Sequence, residues 1–359
     1  MNLLDLFCGC GGLSEGFRLA GYKIIGGIDI NEDSIKTYAH NFPKAITICE
    51  DLLNFKDRYI SDFFGNKNID IIVGGPPCQG FSNANRWQKE SKDPRNKLFY
   101  EYLRFVKVLK PKVVVIENVR GILTKDHGYA KNRILKLIRS LGYRVNCEVL
   151  NASDFGVPQN RTRAFFVAIR DDLCTTEFNF SELKKLPTVN VKDAIGELYK
   201  FENIKNKVIT LTSNSTTSYR KYLRSKKGLV TNHQIVYPAE ITQKRIKYVP
   251  QGGNWSDIPK YMFKNVRENR HSSAFKRLSE IECSVTIDTG NAHSNYFHPL
   301  FHRIPTVREA ARIQSFNDDF NFLGSRSSQY RQVGNAVPPL LAKALAQIIK
   351  RTLKRNENN

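Results

Sequence analysis

No uninterrupted apolar stretch in these 359 residues approaches the ~20 positions that a membrane-spanning helix needs. The chain opens on Met1–Phe7, which carries no basic leader and runs straight into a glycine-rich turn, so no signal peptide is expected. The seven cysteines are odd in number and irregularly spaced, which argues against a disulfide framework. Cys8 and Cys10 have no second Cys or His pair at zinc spacing beside them, and no metal site is expected. There is no internal repeat and no low-complexity tract. Acidic residues are scarce: 34 Asp and Glu face 56 Lys and Arg, a formal charge of +22. That excess is larger than solubility requires and favours a polyanionic partner, either nucleic acid or an anionic membrane surface. Without a spanning run the membrane is the weaker of the two, and a reduced, soluble, cytoplasmic protein is expected.

What is present is globular. A hydrophobic fraction of 41% and an aromatic fraction of 11% suffice for a substantial core, and the length suits one large domain plus a smaller one. Up to about residue 170, short apolar runs alternate with amphipathic segments, the pattern of an α/β domain with a largely parallel sheet. Strands are expected at Leu3–Phe7, Tyr22–Ile28, Ile69–Gly74, Lys112–Glu117, Tyr143–Asn151 and Arg163–Ile169. Helices are expected between them at Ser14–Ala20, Glu32–Asn41, Phe99–Leu109 and Lys131–Leu141. Beyond that point the character changes. Residues 200–280 hold 17 Lys or Arg against 5 Asp or Glu, with Tyr219, Tyr222, Tyr237, Tyr248, Trp255 and Tyr261 among Asn, Ser and Thr. This aperiodic stretch reads as a second, smaller domain facing a polyanion, or as a solvated, loop-rich insertion. Helices at Val307–Gln314 and Ala336–Leu353 then return the chain to the first domain.

Asp5–Gly12 lies between the first strand and the first helix, where glycines let the backbone turn tightly and approach a ligand. Its Gly-x-Gly-Gly spacing departs from the Gly-x-Gly-x-x-Gly of a pyrophosphate site. Asp29 ends the second strand, placed to accept hydrogen bonds from ribose hydroxyls, and Asp51 follows a third segment where it could receive an adenine amino group. A nucleoside cofactor without a pyrophosphate fits, namely S-adenosylmethionine. Taken alone, the turn is equally compatible with a purely structural role.

Gly74–Ser82 follows a buried strand and precedes a polar segment, 83–96. Pro76 and Pro77 stiffen the approach to Cys78, while the flanking glycines leave it accessible. A structural cysteine belongs inside an apolar run; Cys78 opens a polar loop at a strand's carboxyl end, where open α/β sheets place their sites. The apolar run Val113–Ile116 ends in Glu117, at the same sheet edge. A carboxylate beside a thiolate suits attack on an electron-poor ring better than peptide hydrolysis, which wants a histidine base. Cytosine carbon 5 becomes nucleophilic once a thiolate adds at carbon 6 and Glu117 hydrogen-bonds or protonates ring nitrogen 3. Burial raising the Glu117 pKa would serve that step.

Gln159–Arg163 carries arginines at alternate positions of an extended segment, so Arg161 and Arg163 are expected to point the same way. They could orient Glu117, contact the base, bind phosphate, or form an ordinary edge-strand ion pair. Gln332–Pro339 reads as a turn leading into a helix, with proline in its first turn.

In their order, the blocks Asp5–Phe17, Gly74–Ser82, Glu117–Val119, Gln159–Arg163, Arg308–Phe320 and Gln332–Pro338 resemble those of cytosine-5 DNA methyltransferases of the bacterial restriction–modification type. The resemblance spans nearly the whole chain. It implies an α/β fold: a Rossmann-like, S-adenosylmethionine-dependent methyltransferase domain of residues 1–172, completed by 304–359, with a smaller, loop-rich target-recognition domain of residues 173–303. Within the latter, Thr286-Ile287 is similar to the family's Thr-Leu pair. The implied catalytic group is Cys78, as nucleophile, and Glu117, gripping the flipped cytosine, with Arg161 and Arg163. Phe7, Gly9, Gly11, Gly12, Asp29, Ile30, Asp51, Leu52, Pro77, Leu98, Asn335 and Ala336 would line the cofactor or the space beside it. Gln79, Ser82, Arg86 and Trp87 would meet DNA, the last two in a loop that closes over the site. Double-stranded DNA is the implied partner, a restriction endonuclease the implied functional companion, and a monomer the implied state. Asp29 stands where the family often has Glu, and Cys8 and Cys10 replace small or apolar residues. The rival functions are a tRNA cytosine-5 methyltransferase of the same fold, a catalytically silent DNA-binding relative, and a nucleotide-dependent oxidoreductase. The tRNA branch typically carries Cys-Phe-Thr, where this chain has Cys283-Ser284-Val285-Thr286.

Overall fold

The computed structural model describes residues 1–77, 97–174, 176–202, 208–212, 217–263, 275–289 and 296–357. By contact the chain forms two compact units: Met1–Asn151, Thr162–Lys185 and Pro339–Asn359 in the first, Ala152–Arg161 and Leu186–Pro338 in the second. These lines differ from the expected domain limits chiefly at residues 304–338, which cluster with the second unit.

The first unit is built on a seven-stranded sheet: β1 (Asn2–Leu6), β2 (Lys23–Asp29), β3 (Ile46–Cys49), β4 (Ile71–Gly74), β5 (Val113–Val119), β6 (Tyr143–Asn151) and β7 (Thr162–Arg170). Their order is β3-β2-β1-β4-β5-β7-β6, with β1 to β5 parallel and β7 antiparallel to both neighbours. The central β4 and the Val113–Ile116 stretch of β5 are buried on both faces, which is why they read as continuous apolar runs rather than alternating ones. The helices are α1 (Gly12–Leu19), α2 (Glu32–Asn41), α3 (Asp57–Phe64), α4 (Lys97–Leu109) and α5 (Tyr129–Arg139). Strand order reverses at β1, between β2 and β4, and such a switch point opens a crevice at the carboxyl ends of the strands.

The second unit contains α6 (Val191–Ile195), α7 (Ser218–Leu223), α8 (Glu240–Tyr248), α9 (Val307–Ile313) and α10 (Arg326–Asn335). Two short ladders accompany them: antiparallel β8 (Ile209–Thr210) with β9 (Leu229–Val230), and parallel β10 (Lys276–Arg277) with β11 (Tyr296–Phe297). A small apolar cluster of Leu198, Ile209, Leu211 and Val230 is supplemented by buried ion pairs. Arg303 meets Glu309 at 2.7 Å and Glu202 at 2.6 Å, and Arg312 meets Asp318 at 2.5 Å and Glu197 at 2.8 Å. Arg308 donates to the carbonyls of Thr231, Asn317 and Phe320. Buried arginine is tolerable only when its donors are satisfied in this way.

The last helix, α11 (Pro339–Glu357), belongs to the first unit, where the Tyr22 hydroxyl donates to Ala346 O at 3.0 Å. The expected helix at Ala336–Leu353 therefore starts three residues later, and Gln332–Asn335 ends α10 instead of forming a turn. Pro338 and Pro339 enforce the break, because a residue before proline is steered out of the helical region.

Candidate active site

Beyond the end of β1, Phe7, Gly9 and Gly11 all take left-handed backbone conformations, with φ of 58°, 52° and 99°. The glycines serve different ends. A Cβ on Gly11 would lie 2.6 Å from the Phe42 ring, so packing requires glycine there; a Cβ on Gly9 would meet nothing within 4 Å, so Gly9 fronts open space. Gly12 is buried as the first residue of α1. The Asp29 carboxylate accepts from the backbone N–H of Gly9 at 2.8 Å and of Asn31 at 2.8 Å, pinning the turn to the end of β2. Burial pushes the Asp29 carboxyl up, while those N–H groups pull it back. Ile30 beside it is 69% exposed. Asp51 caps the turn Leu52–Asn54 by accepting from Leu53 N at 3.0 Å, and Leu52 is buried. Pro77 is exposed, and Leu98 is half-buried in the first turn of α4.

Glu117 and Arg163 come together at the carboxyl end of β5. Arg163 pairs across from Val119, so its side chain shares a sheet face with Glu117 two residues earlier. The result is an ion pair of 3.0 Å between Arg163 Nε and Glu117 Oε1, both side chains largely buried. The loop after β4 runs alongside: a Cβ on Gly75 would lie 3.0 Å from Glu117 Oε2, and Asn118 Nδ2 donates to Pro76 O at 3.0 Å. Cys78, Gln79, Ser82, Arg86 and Trp87 lie outside the described residues. Cys8 and Cys10 are buried, and burial pushes the Cys8 thiol well up and the Cys10 thiol to about 12, so neither has thiolate character.

Arg161 does not share Arg163's environment. It is 1% exposed and donates to Ile287 O at 3.0 Å and Gly334 O at 2.8 Å, within the second unit. The alternation that should align the two arginines starts only with β7, at Thr162, one residue too late. Gln159 is buried too; its Oε1 accepts from Ile287 N at 2.9 Å and its Nε2 donates to Gln314. Thr286 Oγ1 donates to Asn160 O at 2.8 Å, so the Gln-x-Arg block carries the Thr286-Ile287 pair on its backbone. Asn335 is exposed at the end of α10, and Ala336 follows it, buried.

The family model described as C-5 cytosine-specific DNA methylase matches residues 1–351. The chain belongs to that family. Among curated relatives, the Type II methyltransferase M1.HphI of Haemophilus parahaemolyticus is 36% identical over 100% of this chain and 88% of its own. The Type II methyltransferase M.DdeI of Desulfomicrobium norvegicum is 36% identical over 97% of this chain and 88% of its own. A solved putative DNA modification methyltransferase encoded within an E. coli prophage matches with a TM-score of 0.80 at 27% identity, covering 99% of both chains. Spodoptera frugiperda DNMT2 shares the fold, with a TM-score of 0.62 at 16% identity over 97% of this chain and 99% of that one. The protein is thus a DNA cytosine-5 methyltransferase with a Rossmann-like catalytic fold. Among the described residues no helix is long and apolar enough to cross a membrane.

One polar cluster of this methylase escaped the sequence reading. Asp5, 1% exposed in β1, accepts from the Ser14 hydroxyl at 2.7 Å, and Ser14 shares a second hydrogen bond of 2.7 Å with the Tyr38 hydroxyl. The cluster underlies the glycine turn, holding α1 and α2 to β1. Its signal was an aspartate interrupting the leucines Leu3, Leu4 and Leu6 of β1.

Proposed function

We propose that this methylase moves the methyl group of S-adenosylmethionine onto carbon 5 of a cytosine flipped out of double-stranded DNA, through a covalent bond between Cys78 and ring carbon 6. The observation that carries the reading is the Glu117–Arg163 pair, held beside the Pro76-Pro77 approach to Cys78. The residues present fit the cofactor. Open space in front of Gly9 admits a ligand to the backbone, exposed Ile30 offers an apolar face to a purine, and Asp29 and Asp51 supply acceptors at the ends of β2 and β3. Phe7, Gly11 and Gly12 shape that turn, and Leu52, Pro77, Leu98, Asn335 and Ala336 are assigned to the same group by family pattern.

When bound, the cofactor supplies an electrophilic methyl group. The protein's own residues make the acceptor. The Cys78 thiolate adds to carbon 6, Glu117 hydrogen-bonds or protonates nitrogen 3, and carbon 5 becomes an enamine-type nucleophile. Arg163 holds the Glu117 carboxyl group in place, and Glu117 acts on nitrogen 3 in its protonated form, recovering the proton when the base is released. After carbon 5 is methylated, its proton leaves, the carbon 6–sulfur bond breaks, and the thiolate is restored. A stacked base cannot reach Cys78, so flipping is required, at a cost of roughly a few kcal/mol. Gln79, Ser82, Arg86 and Trp87 are assigned to the DNA side. The relatives named Type II methyltransferases support a restriction–modification role; a partner endonuclease, a monomeric state and a cytoplasmic location complete the proposal.

The test is incubation with methyl-labelled S-adenosylmethionine and either genomic duplex DNA or tRNA. Label is expected in DNA, at carbon 5 of cytosine, and in neither substrate with Cys78→Ser, whose DNA binding should persist. Label in tRNA alone, or a fully active Cys78→Ser, overturns the reading.

A further inference from the structure

The second unit displays two exposed tyrosines side by side. Tyr261 is 78% exposed and Tyr248 46% exposed, yet their hydroxyls lie 3.1 Å apart. The frame beneath them is fixed. Arg245, on α8, donates from Nε and Nη2 to Met262 O at 3.2 and 2.6 Å and covers the Phe263 ring at 4.6 Å, locking α8 to the turn that carries Tyr261. From the other side, buried Arg277 donates to Val249 O at 3.0 Å, holding the end of α8 just past Tyr248. Lys244, Lys247 and Tyr248 recur at helical spacing on the exposed face of α8, opposite buried Ile246. Lys244 pairs with Glu240 at 2.7 Å, and exposed Lys260 adjoins Tyr261 in sequence. The local field is positive: His302 is pushed down by burial and by the charges of Arg277 and Lys247.

We propose that Tyr248 and Tyr261 read base edges in a groove of the substrate duplex, with Lys247 and Lys260 on the flanking phosphates, and so set part of the target specificity. Large aromatics held rigidly in water make contact surface at little ordering cost when a partner arrives. Two hydrogen-bonded phenols together retain one O–H donor and several acceptor lone pairs, side by side. The groove edge of a base pair presents adjacent donors and acceptors at comparable spacing, and the lysines complement phosphate charge. This inference rests on the proposed DNA methylation and adds the residues that choose the site.

The experiment first locates the methylated site by base-resolution sequencing of DNA treated with wild-type protein. It then measures kcat/KM on a duplex carrying that site and on its single-base-pair variants. Tyr248→Phe/Tyr261→Phe should lose roughly 10- to 100-fold in kcat/KM on the cognate duplex and relax discrimination at one or two base pairs. Cofactor binding and thermal midpoint should stay at wild-type values. Lys247→Gln should weaken all duplexes alike and reduce the salt slope of binding by about 1. A double Phe variant with wild-type rate and discrimination overturns this inference and leaves DNA methylation standing. A wild-type protein that labels no DNA overturns both.

Discussion

Replacing Asp5 by asparagine should remove a pH-dependent weakness from the catalytic unit. Burial pushes the Asp5 carboxyl from its ordinary 3.8 up to about 7, with the charge of Asp29 adding to the rise and the Ser14 hydroxyl opposing it. In the unfolded chain the group ionises near its ordinary value. Between 3.8 and about 7 the folded state therefore binds more protons than the unfolded one, and stability falls as pH rises through that window. A difference of about 3 units at about 1.4 kcal/mol each sets an upper bound near 4 kcal/mol, reached by pH 8. Asp5→Asn keeps an acceptor for Ser14 and cannot ionise. Its amide N–H2 falls where Asp5 Oδ1 has no hydrogen-bond partner, a penalty of about 1–3 kcal/mol that does not vary with pH and so separates from the titration. Asp29 is shifted in the same direction, so a weaker slope of the same sign should remain in the variant. Urea unfolding followed by circular dichroism between pH 4 and 8 measures both profiles. Parallel profiles for wild type and Asp5→Asn would refute the assignment.

Two arginine substitutions test the split within the Gln-x-Arg-x-Arg segment. Arg161→Met strips the donor from two carbonyls, Ile287 O and Gly334 O, and should cost about 2–5 kcal/mol in denaturant unfolding; a loss below about 1 kcal/mol contradicts the clamp. Arg163→Ala leaves Glu117 without its ion-pair partner and should lower kcat by about 10²-fold with cofactor affinity unchanged, as read by single-turnover methylation and cofactor titration. An equal loss of cofactor affinity would mean that Arg163 acts on the cofactor turn instead.

The sheet was legible in its centre because burial on both faces leaves apolar runs, as in β4 and Val113–Ile116 of β5, and six of its seven strands coincide with expected ones. β3 is not among them: three of its four residues are partly buried and Cys49 is exposed, and four residues carry little periodicity. α3 is short, with only Ile60 and Phe64 buried, and α10 hides behind polar composition. Within α10 buried Ser328 and Gln332 sit beside Tyr330 and Val333, so apolar spacing gives no helical signal. The same cause obscured the second unit. Arg303, Arg308 and Arg312 are 0–1% exposed, and nothing in their sequence marks them as buried until their carboxylate and carbonyl partners are seen. The placement of Asp29 and Glu117 at the carboxyl ends of β2 and β5 was legible from the apolar runs they close, and that of Arg163 in an extended segment from its motif. Asp5 was passed over because its partner Ser14 lies 9 residues along the chain and Ser14's partner Tyr38 a further 24, beyond any local pattern.

The spacing of Gln159, Arg161 and Arg163 follows from how the chain makes its excursion between β6 and β7. Asn151 pairs with Thr162 as the last rung of that ladder, and Ala152 N donates to Arg161 O at 2.9 Å immediately beyond it. The ten residues 152–161 are thus closed at their base by consecutive hydrogen bonds. On one side of the closure Gln159 and Arg161 fix the backbone of Ile287; on the other, β7 register sets Arg163 against Val119 and within reach of Glu117. One residue more or less between Arg161 and Arg163 would move every later side chain of β7 to the opposite sheet face. Arg163 would then point away from Glu117. The motif is therefore a length constraint as much as a pair of charges. Its first arginine holds the segment carrying Thr286-Ile287 and its second holds the carboxylate, with a single threonine between them to mark the change of unit.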